Sequence, residues 1–212
     1  MNEIIQNLLL IASISAVYIA ALISPGPDFF IAVRNSLKHS RKTGIYTAIG
    51  IGFGIMVHVF YCLAGLAFVI SQSIMLFNAI KLLGAAYLVY IGIKSLRSKS
   101  SNITIEEVEK EQDITTLQAI KIGFLTNVLN PKATIFFLGL FTFVITPETP
   151  AAVLGVAAVM MVLLTMIWFS LVATFFSHSR IQKLYNRFQG AFNKTLGGLL
   201  ILLGIKVAVS ER

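Results

Sequence analysis

Ser24-Pro25-Gly26-Pro27-Asp28 lies inside a long apolar run near the start of the sequence. Two prolines and a glycine cannot continue an ordinary helix, because each proline lacks an amide donor and glycine favours other conformations. An acid follows directly, and Asp28 is the only carboxylate in any stretch that reads as membrane-buried. A break and a charge together inside an apolar segment require a functional reason.

Working outward, the chain of 212 residues is 57% hydrophobic and 12% charged, with a mean hydropathy of +0.84. That composition is an integral membrane protein's. The apolar residues fall in blocks of about twenty, the length a helix needs to cross roughly 30 Å of hydrocarbon, and not in the alternating segments of a β-barrel. The fold class is therefore all-α and polytopic, with the lipid bilayer as surroundings. The net charge of +8 has its origin in Lys and Arg that collect in cytoplasmic loops, so nucleic acid is discounted as a partner. The single cysteine, Cys62, cannot form an intrachain disulfide or a paired-thiol redox site and reads as a small core hydrophobe. Met1-Asn2-Glu3 offers no basic leader region, so the first apolar run is expected to be a retained span.

The pattern predicts six spans, at roughly 4–24 (continuing irregularly to about 37), 44–70, 74–93, 122–145, 151–176 and 195–209. Arg34, Lys38, Arg41 and Lys42 occupy the first long connection, Lys94, Arg97, Lys99, Lys110 and Lys121 the third, and Arg180, Lys183, Arg187 and Lys194 the fifth. The connections near Ser71 to Ser73 and Thr146 to Pro150 hold no Lys or Arg. The basic loops should be cytoplasmic, which places both termini outside. Ser98 to Asp113, with four glutamates and an aspartate, reads as a solvated cytoplasmic linker between a first three-span repeat, 1–97, and a second, 114–212. In the last basic loop Ile181, Leu184, Tyr185 and Phe188 recur at helical spacing, which predicts a short helix on the inner membrane surface.

The two parts resemble each other. Lys81-Leu82-Leu83-Gly84-Ala85, then Gly92-Ile93-Lys94, recurs as Lys194-Thr195-Leu196-Gly197-Gly198, then Gly204-Ile205-Lys206, after a slip of one residue. Asn130-Pro131-Lys132 followed by Phe136-Phe137 stands where the first part has Ser24 to Asp28 followed by Phe29-Phe30. Repeats of three spans insert in opposite orientations, which is the inverted-repeat plan of secondary transporters with substrate held on discontinuous helices.

Pro25, Gly26 and Pro27 in one span and Pro131 in another free backbone groups that lipid cannot satisfy, so both breaks must face protein or a wet cavity. An acid or lysine at mid-span costs about 2.5–3.5 kcal/mol on insertion scales and needs a partner. Asp28 and Lys132 hold corresponding places in the repeats and should approach one another near the midplane. A zwitterion suits such a pair: Asp28 takes an ammonium or a proton, while Lys132, Asn127, Asn130 or a half-helix N-terminus takes a carboxylate. A purely structural salt bridge is the rival reading.

These residues carry a family resemblance. Pro25-Gly26-Pro27-Asp28, the run through Arg41, Gly44, Gly50 and Gly54, Gly84 to Leu88 with Gly92, and Asn127 with Asn130-Pro131-Lys132 and Phe136-Phe137 are similar to the LysE/RhtB family of amino-acid exporters. The resemblance covers essentially the whole chain. It implies a bacterial inner-membrane protein, not an enzyme and without cofactor, that exports amino acids or their derivatives, most simply as an antiporter driven by protons. The chain departs from the family pattern after span four, where Phe141 to Pro147 stands in place of a frequent Pro-Gln pair.

His58 could shuttle protons, though a buried histidine bonded to a neighbour's backbone is the plainer expectation. Lys81, about two turns inside its span, is a further candidate for substrate or an ion pair, unless it snorkels outward. Gly50 and Gly54 form a small face that packs a neighbouring helix or, in a homodimer, a second subunit. Metal-cation efflux is the alternative function, but transition metals prefer clustered His, Cys or carboxylates, and the spans offer one His, one Cys and one Asp at scattered positions.

Overall fold

The computed structural model describes residues 2–72, 74–97, 109–144, 149–176 and 178–209. Eight helices account for nearly all of them: α1 (Asn2–Ile23), α2 (Pro27–Lys38), α3 (Arg41–Gln72), α4 (Ile74–Arg97), α5 (Thr116–Val128), α6 (Pro131–Val144), α7 (Ala151–Phe175) and α8 (Ser179–Val209). Among the described residues, α1, α3, α7 and α8 each contain a stretch long and apolar enough to cross a membrane. The pair α5 and α6, bent by 58° at its break, makes a fifth if the two are taken as one span. Large apolar side chains such as Phe60, Leu83 and Leu202 point away from the protein, as a bilayer-facing surface does.

Both predicted breaks are present. α1 stops at Ile23, and α2 restarts at Pro27, whose fixed φ and missing amide suit the first turn of a helix. With 12 residues, α2 reaches about 18 Å, too short for a crossing of its own. α5 opens on a capping box, in which the Thr115 side chain accepts from the Gln118 amide while the Gln118 side chain accepts from the Thr115 amide. It closes at Val128, ahead of Pro131.

Two seams fix the packing. A β-carbon on Gly50 would strike the carbonyl of Ile120, and one on Gly123 would strike the carbonyl of Thr47, so α3 and α5 meet backbone to backbone. The Gly50 face therefore packs within the chain. Between α4 and α8, a β-carbon on Gly92 would lie 2.8 Å from the Gly197 carbonyl oxygen, one on Gly197 2.7 Å from that of Gly92, and one on Gly204 2.8 Å from that of Ala85. Small residues are what permit such approaches. Around the seams, one core gathers Tyr18, Leu88, Phe137, Met161 and Leu200 with Cys62. A second gathers Phe29, Ile51, Phe169, Phe176 and Tyr185.

Of the linker, 98–108 lie outside the described residues, as do 145–148 in the stretch where the chain departs from the family pattern. Its end is docked rather than free. The Glu111 amide donates to the Lys38 carbonyl at 2.7 Å, the Glu111 carboxylate pairs with Lys38 at 2.9 Å, and His39 Nδ1 donates to the Gln112 carbonyl at 2.7 Å. Thr43 Oγ1 donates to Asp113 at 3.0 Å. These contacts join the turn between α2 and α3 to the segment that leads into α5.

The surface helix expected over the last basic loop does not exist as a separate element. α8 is continuous for 31 residues, and Tyr185, Gln189 and Asn193 on one of its faces are buried. Their i, i+4, i+8 spacing places a polar stripe inside the protein, where the neighbouring Arg and Lys had suggested a membrane surface. The fourth predicted span also begins earlier, at Thr116.

Candidate functional site

Proline removes the amide that would serve the carbonyl four residues earlier, so the Ile23 and Asn127 carbonyls lose their i+4 partners to Pro27 and Pro131. The Asn127 carbonyl keeps a backbone bond from the Asn130 amide at 2.9 Å, and a side chain reaches each of the two carbonyls. Tyr185 Oη donates to the Ile23 carbonyl at 2.7 Å, and His58 Nε2 donates to the Asn127 carbonyl at 3.0 Å. Because a carbonyl only accepts, Nε2 of His58 carries its hydrogen, and Nδ1 faces the Tyr61 hydroxyl at 2.8 Å. His58 is thus a buried histidine bonded to a neighbour's backbone, with its ring stacked on Phe137 at 5.5 Å.

The two breaks also answer each other. Lys132, on the first turn of α6, donates to the Ser24 carbonyl at 3.0 Å, to Ser24 Oγ at 3.2 Å and to the Pro25 carbonyl at 3.4 Å. Its ammonium therefore caps the negative end of α1. Asp28, on the first turn of α2, accepts from Asn127 Nδ2 and Asn130 Nδ2, both at 3.0 Å and both on the same oxygen, Oδ2. Asn130 Oδ1 in turn accepts from the Lys132 amide at 3.0 Å, which caps α6. Among the described residues Asp28 and Lys132 form no ion pair with one another. They nevertheless both line one cavity, with the asparagines turned to Asp28.

That cavity measures about 490 Å³ and is bounded by both breaks, by Tyr87 to Ser95 on α4 and by Gln189 to Leu200 on α8. Its volume lies in the range of small-molecule sites. Tyr18, Phe29, Phe136 and Phe137 supply apolar wall, and Tyr18 is held there by a 2.5 Å hydrogen bond to Thr165. The other carboxylate oxygen, Asp28 Oδ1, is buried without a hydrogen-bond partner, and so are Asn127 Oδ1 and Gln189 Oε1. Gly26 borders the cavity beneath Lys132, whose Nζ would lie 3.5 Å from a β-carbon placed there. Pro25 and Pro131 complete that wall, and Pro27 sets the turn that presents Asp28. Lys81 is buried on α4, so it does not snorkel, and it is not among the residues that line the cavity.

The chain matches the family described as LysE type translocator over residues 19–211. It belongs to that family. It is 31% identical over 206 residues to the threonine efflux protein of Salmonella typhi, covering 96% of this chain and 100% of that one. It is 30% identical over 196 residues to the membrane protein YrhP of Bacillus subtilis, covering 89% and 93%. The homoserine/homoserine lactone efflux protein of Salmonella typhimurium is 26% identical over 195 residues, covering 88% and 89%. No solved structure matches the chain significantly. As a LysE-family protein it is a membrane translocator and not an enzyme. Metal-cation efflux draws no support from these relatives, nor from the described residues, where no group of three or more His, Cys, Asp or Glu is placed to hold a metal.

Sequence reasoning did not find Gln189, Asn193 or Tyr18 among the residues that line the cavity, nor the supporting bonds of Tyr185 to Ile23 and of Tyr18 to Thr165. For α8 the signal was there: three polar or aromatic residues at spacing four, on a stretch whose charged residues occupy the other faces.

Proposed function

We propose that the protein exports small amino acids across the bacterial inner membrane by alternating access, in exchange for protons. The observation that carries this reading is the asymmetric state of Asp28, with one oxygen fixed by two amides and the other unpartnered in the cavity wall. A buried acceptor without a donor is costly. A substrate ammonium meets that need, and so does a proton, so the two compete for Oδ1. A carrier that leaves with substrate on Asp28 and returns with a proton there exchanges one for the other.

The substrate carboxylate then belongs at the positive end of the same site. Lys132 lies there, with long contacts to Ser24 Oγ and Pro25 that can yield. Beside it is the N-terminus of α2, where Gly26 caps without any side-chain hydrogen bond, an anion-favouring end. The names of the Salmonella relatives favour small hydroxylated substrates such as threonine and homoserine.

Six crossings in two inverted repeats suit the packing. The sequence aligns Gly84 with Gly197 and Gly92 with Gly204. A two-fold relation between α4 and α8 then pairs the contact of Gly92 with Gly197 to one of Gly204 beside Gly84, and Gly204 does lie against Ala85. The 24 residues of α4 span about 36 Å, enough for the sixth crossing. With the basic loops inside, both termini are extracytoplasmic and the Lys94 end of the cavity lies toward the cytoplasm.

Uptake of labelled threonine into inverted membrane vesicles tests the proposal. An imposed proton gradient should accelerate uptake at least fivefold, and Asp28→Asn should abolish it at an unchanged amount of protein in the membrane. Normal transport by Asp28→Asn would remove Asp28 from the mechanism. An absence of uptake across a broad amino-acid panel would remove the function.

A further inference from the structure

Gln189 has no part in the scheme so far. It is 2% exposed, it lines the cavity, and its Oε1 is buried without a hydrogen-bond partner. Its backbone is anchored on both sides. One turn before it, Tyr185 is bound to the carbonyl of Ile23 at the first break. One turn after it, the carbonyl of Asn193 accepts from Ser95 Oγ on α4 at 2.8 Å. Gln189 and Asp28 line the same cavity, so the amide faces the space that a molecule with its ammonium on Asp28 would occupy.

We propose that Gln189 reads the side chain of the exported amino acid, and that it selects a hydroxyl. This rests on the reading of the cavity as an amino-acid site. An amide offers an acceptor and two donors, and turning it end for end exchanges their places. A hydroxyl both donates and accepts, so a β- or γ-hydroxyl can satisfy the amide in either setting. An aliphatic side chain of equal size leaves Oε1 buried and unpaired, and sites built to bond a hydroxyl reject such isosteres strongly. An apolar pocket without Gln189 separates the two poorly. Asp28 and Lys132 address groups common to all amino acids, so discrimination has to come from elsewhere on the wall, and Gln189 is a buried amide on the α8 side of it.

Threonine and valine are the probes, since they differ by a hydroxyl in place of a methyl. In inverted vesicles the wild-type protein should take up threonine with an apparent affinity at least tenfold better than valine. Gln189→Met, unbranched and of similar length, should bring the two within about twofold, chiefly by weakening threonine, while valine uptake persists. A preference that survives Gln189→Met, or a wild-type protein that takes up both equally, overturns the assignment and leaves the exporter reading intact. Uptake of neither by the wild type also overturns the assignment, and absence of uptake across a broad amino-acid panel overturns the exporter reading itself. If Gln189→Met does not reach the membrane, Gln189→Glu decides, because it keeps an acceptor oxygen at the same reach. A retained preference for threonine then supports the assignment and a lost one overturns it.

Discussion

Lys132 Nζ stands 3.0 Å from the carbonyl oxygen of Ser24, which precedes it by 108 residues. The lysine at the second break thereby closes the helix that ends at the first, and its charge lies where the dipole of α1 is negative.

Lys132→Met removes a donor set that serves two backbone carbonyls and a hydroxyl. With hydrogen bonds to charged groups worth about 1.5–3 kcal/mol each and not additive, the expected loss is about 3 kcal/mol. Thermal unfolding in detergent should show a midpoint several degrees lower. A midpoint equal to the wild type's would mean that the contacts carry no stability. Lys132→Arg should fall between, because a planar fork does not match three converging acceptors.

His58 serves the Asn127 carbonyl through a hydrogen that any donor at that position could supply. His58→Gln should therefore keep both stability and proton-driven uptake within about twofold, whereas His58→Phe should lose about 1–2 kcal/mol. If the imidazole shuttled protons, His58→Gln would eliminate the response to a proton gradient, and the vesicle assay separates the cases.

The two kinds of glycine should behave oppositely. Gly123→Ala drives a methyl into the Thr47 carbonyl and should cost about 3 kcal/mol, the upper end for overpacking. Gly198 has nothing within 4 Å of a β-carbon, so Gly198→Ala should stabilise α8 by about 0.5–1 kcal/mol. Unfolding midpoints that moved in the same direction for both would contradict the packing of α3 on α5.

The docked end of the linker sets a pH limit. Hydrogen bonds from Ser40 and Thr43 hold the Asp113 carboxyl below its ordinary value, and the hydrogen bond to Lys38 does the same for Glu111. Groups with depressed values stabilise the docked state above their unfolded values and lose that contribution as pH falls through the folded ones. The protection of the 109–113 amides relative to their intrinsic exchange rate at each pH should therefore be constant through neutral pH and fall only below about pH 4. A loss of protection between pH 6 and 8 would point to another switch.

The breaks were legible because proline and glycine impose geometry on any helix that contains them, and a lone acid among apolar residues stands out. The meeting of Asp28 with the second break followed from the apparent repeat. The division of labour did not follow. Formal charges suggested that Asp28 would meet Lys132, whereas neutral amides hold the acid and backbone carbonyls hold the lysine. Which partner a buried ion takes depends on orphaned backbone groups, and these become visible only with the helix ends. Gln189 was hidden for a related reason: on α8 the basic side chains dominate the pattern, and the buried stripe is apparent only once the helix is seen to be continuous.

The contact of Gly50 with α5 has a consequence for how the cavity opens. α3 comes from the first half of the sequence and α5 from the second, and their backbones touch with no side chain between them that could slide or repack. The docked linker ties the turn between α2 and α3 to the lead-in of α5 at the same end. The gene's two halves are therefore not the machine's two parts. On the proposed alternating-access reading, movement that exposes the cavity to either side would separate a body holding α2, α3 and α5 from the α4–α8 pair, along a cut that runs through both proposed repeats and past Gln189.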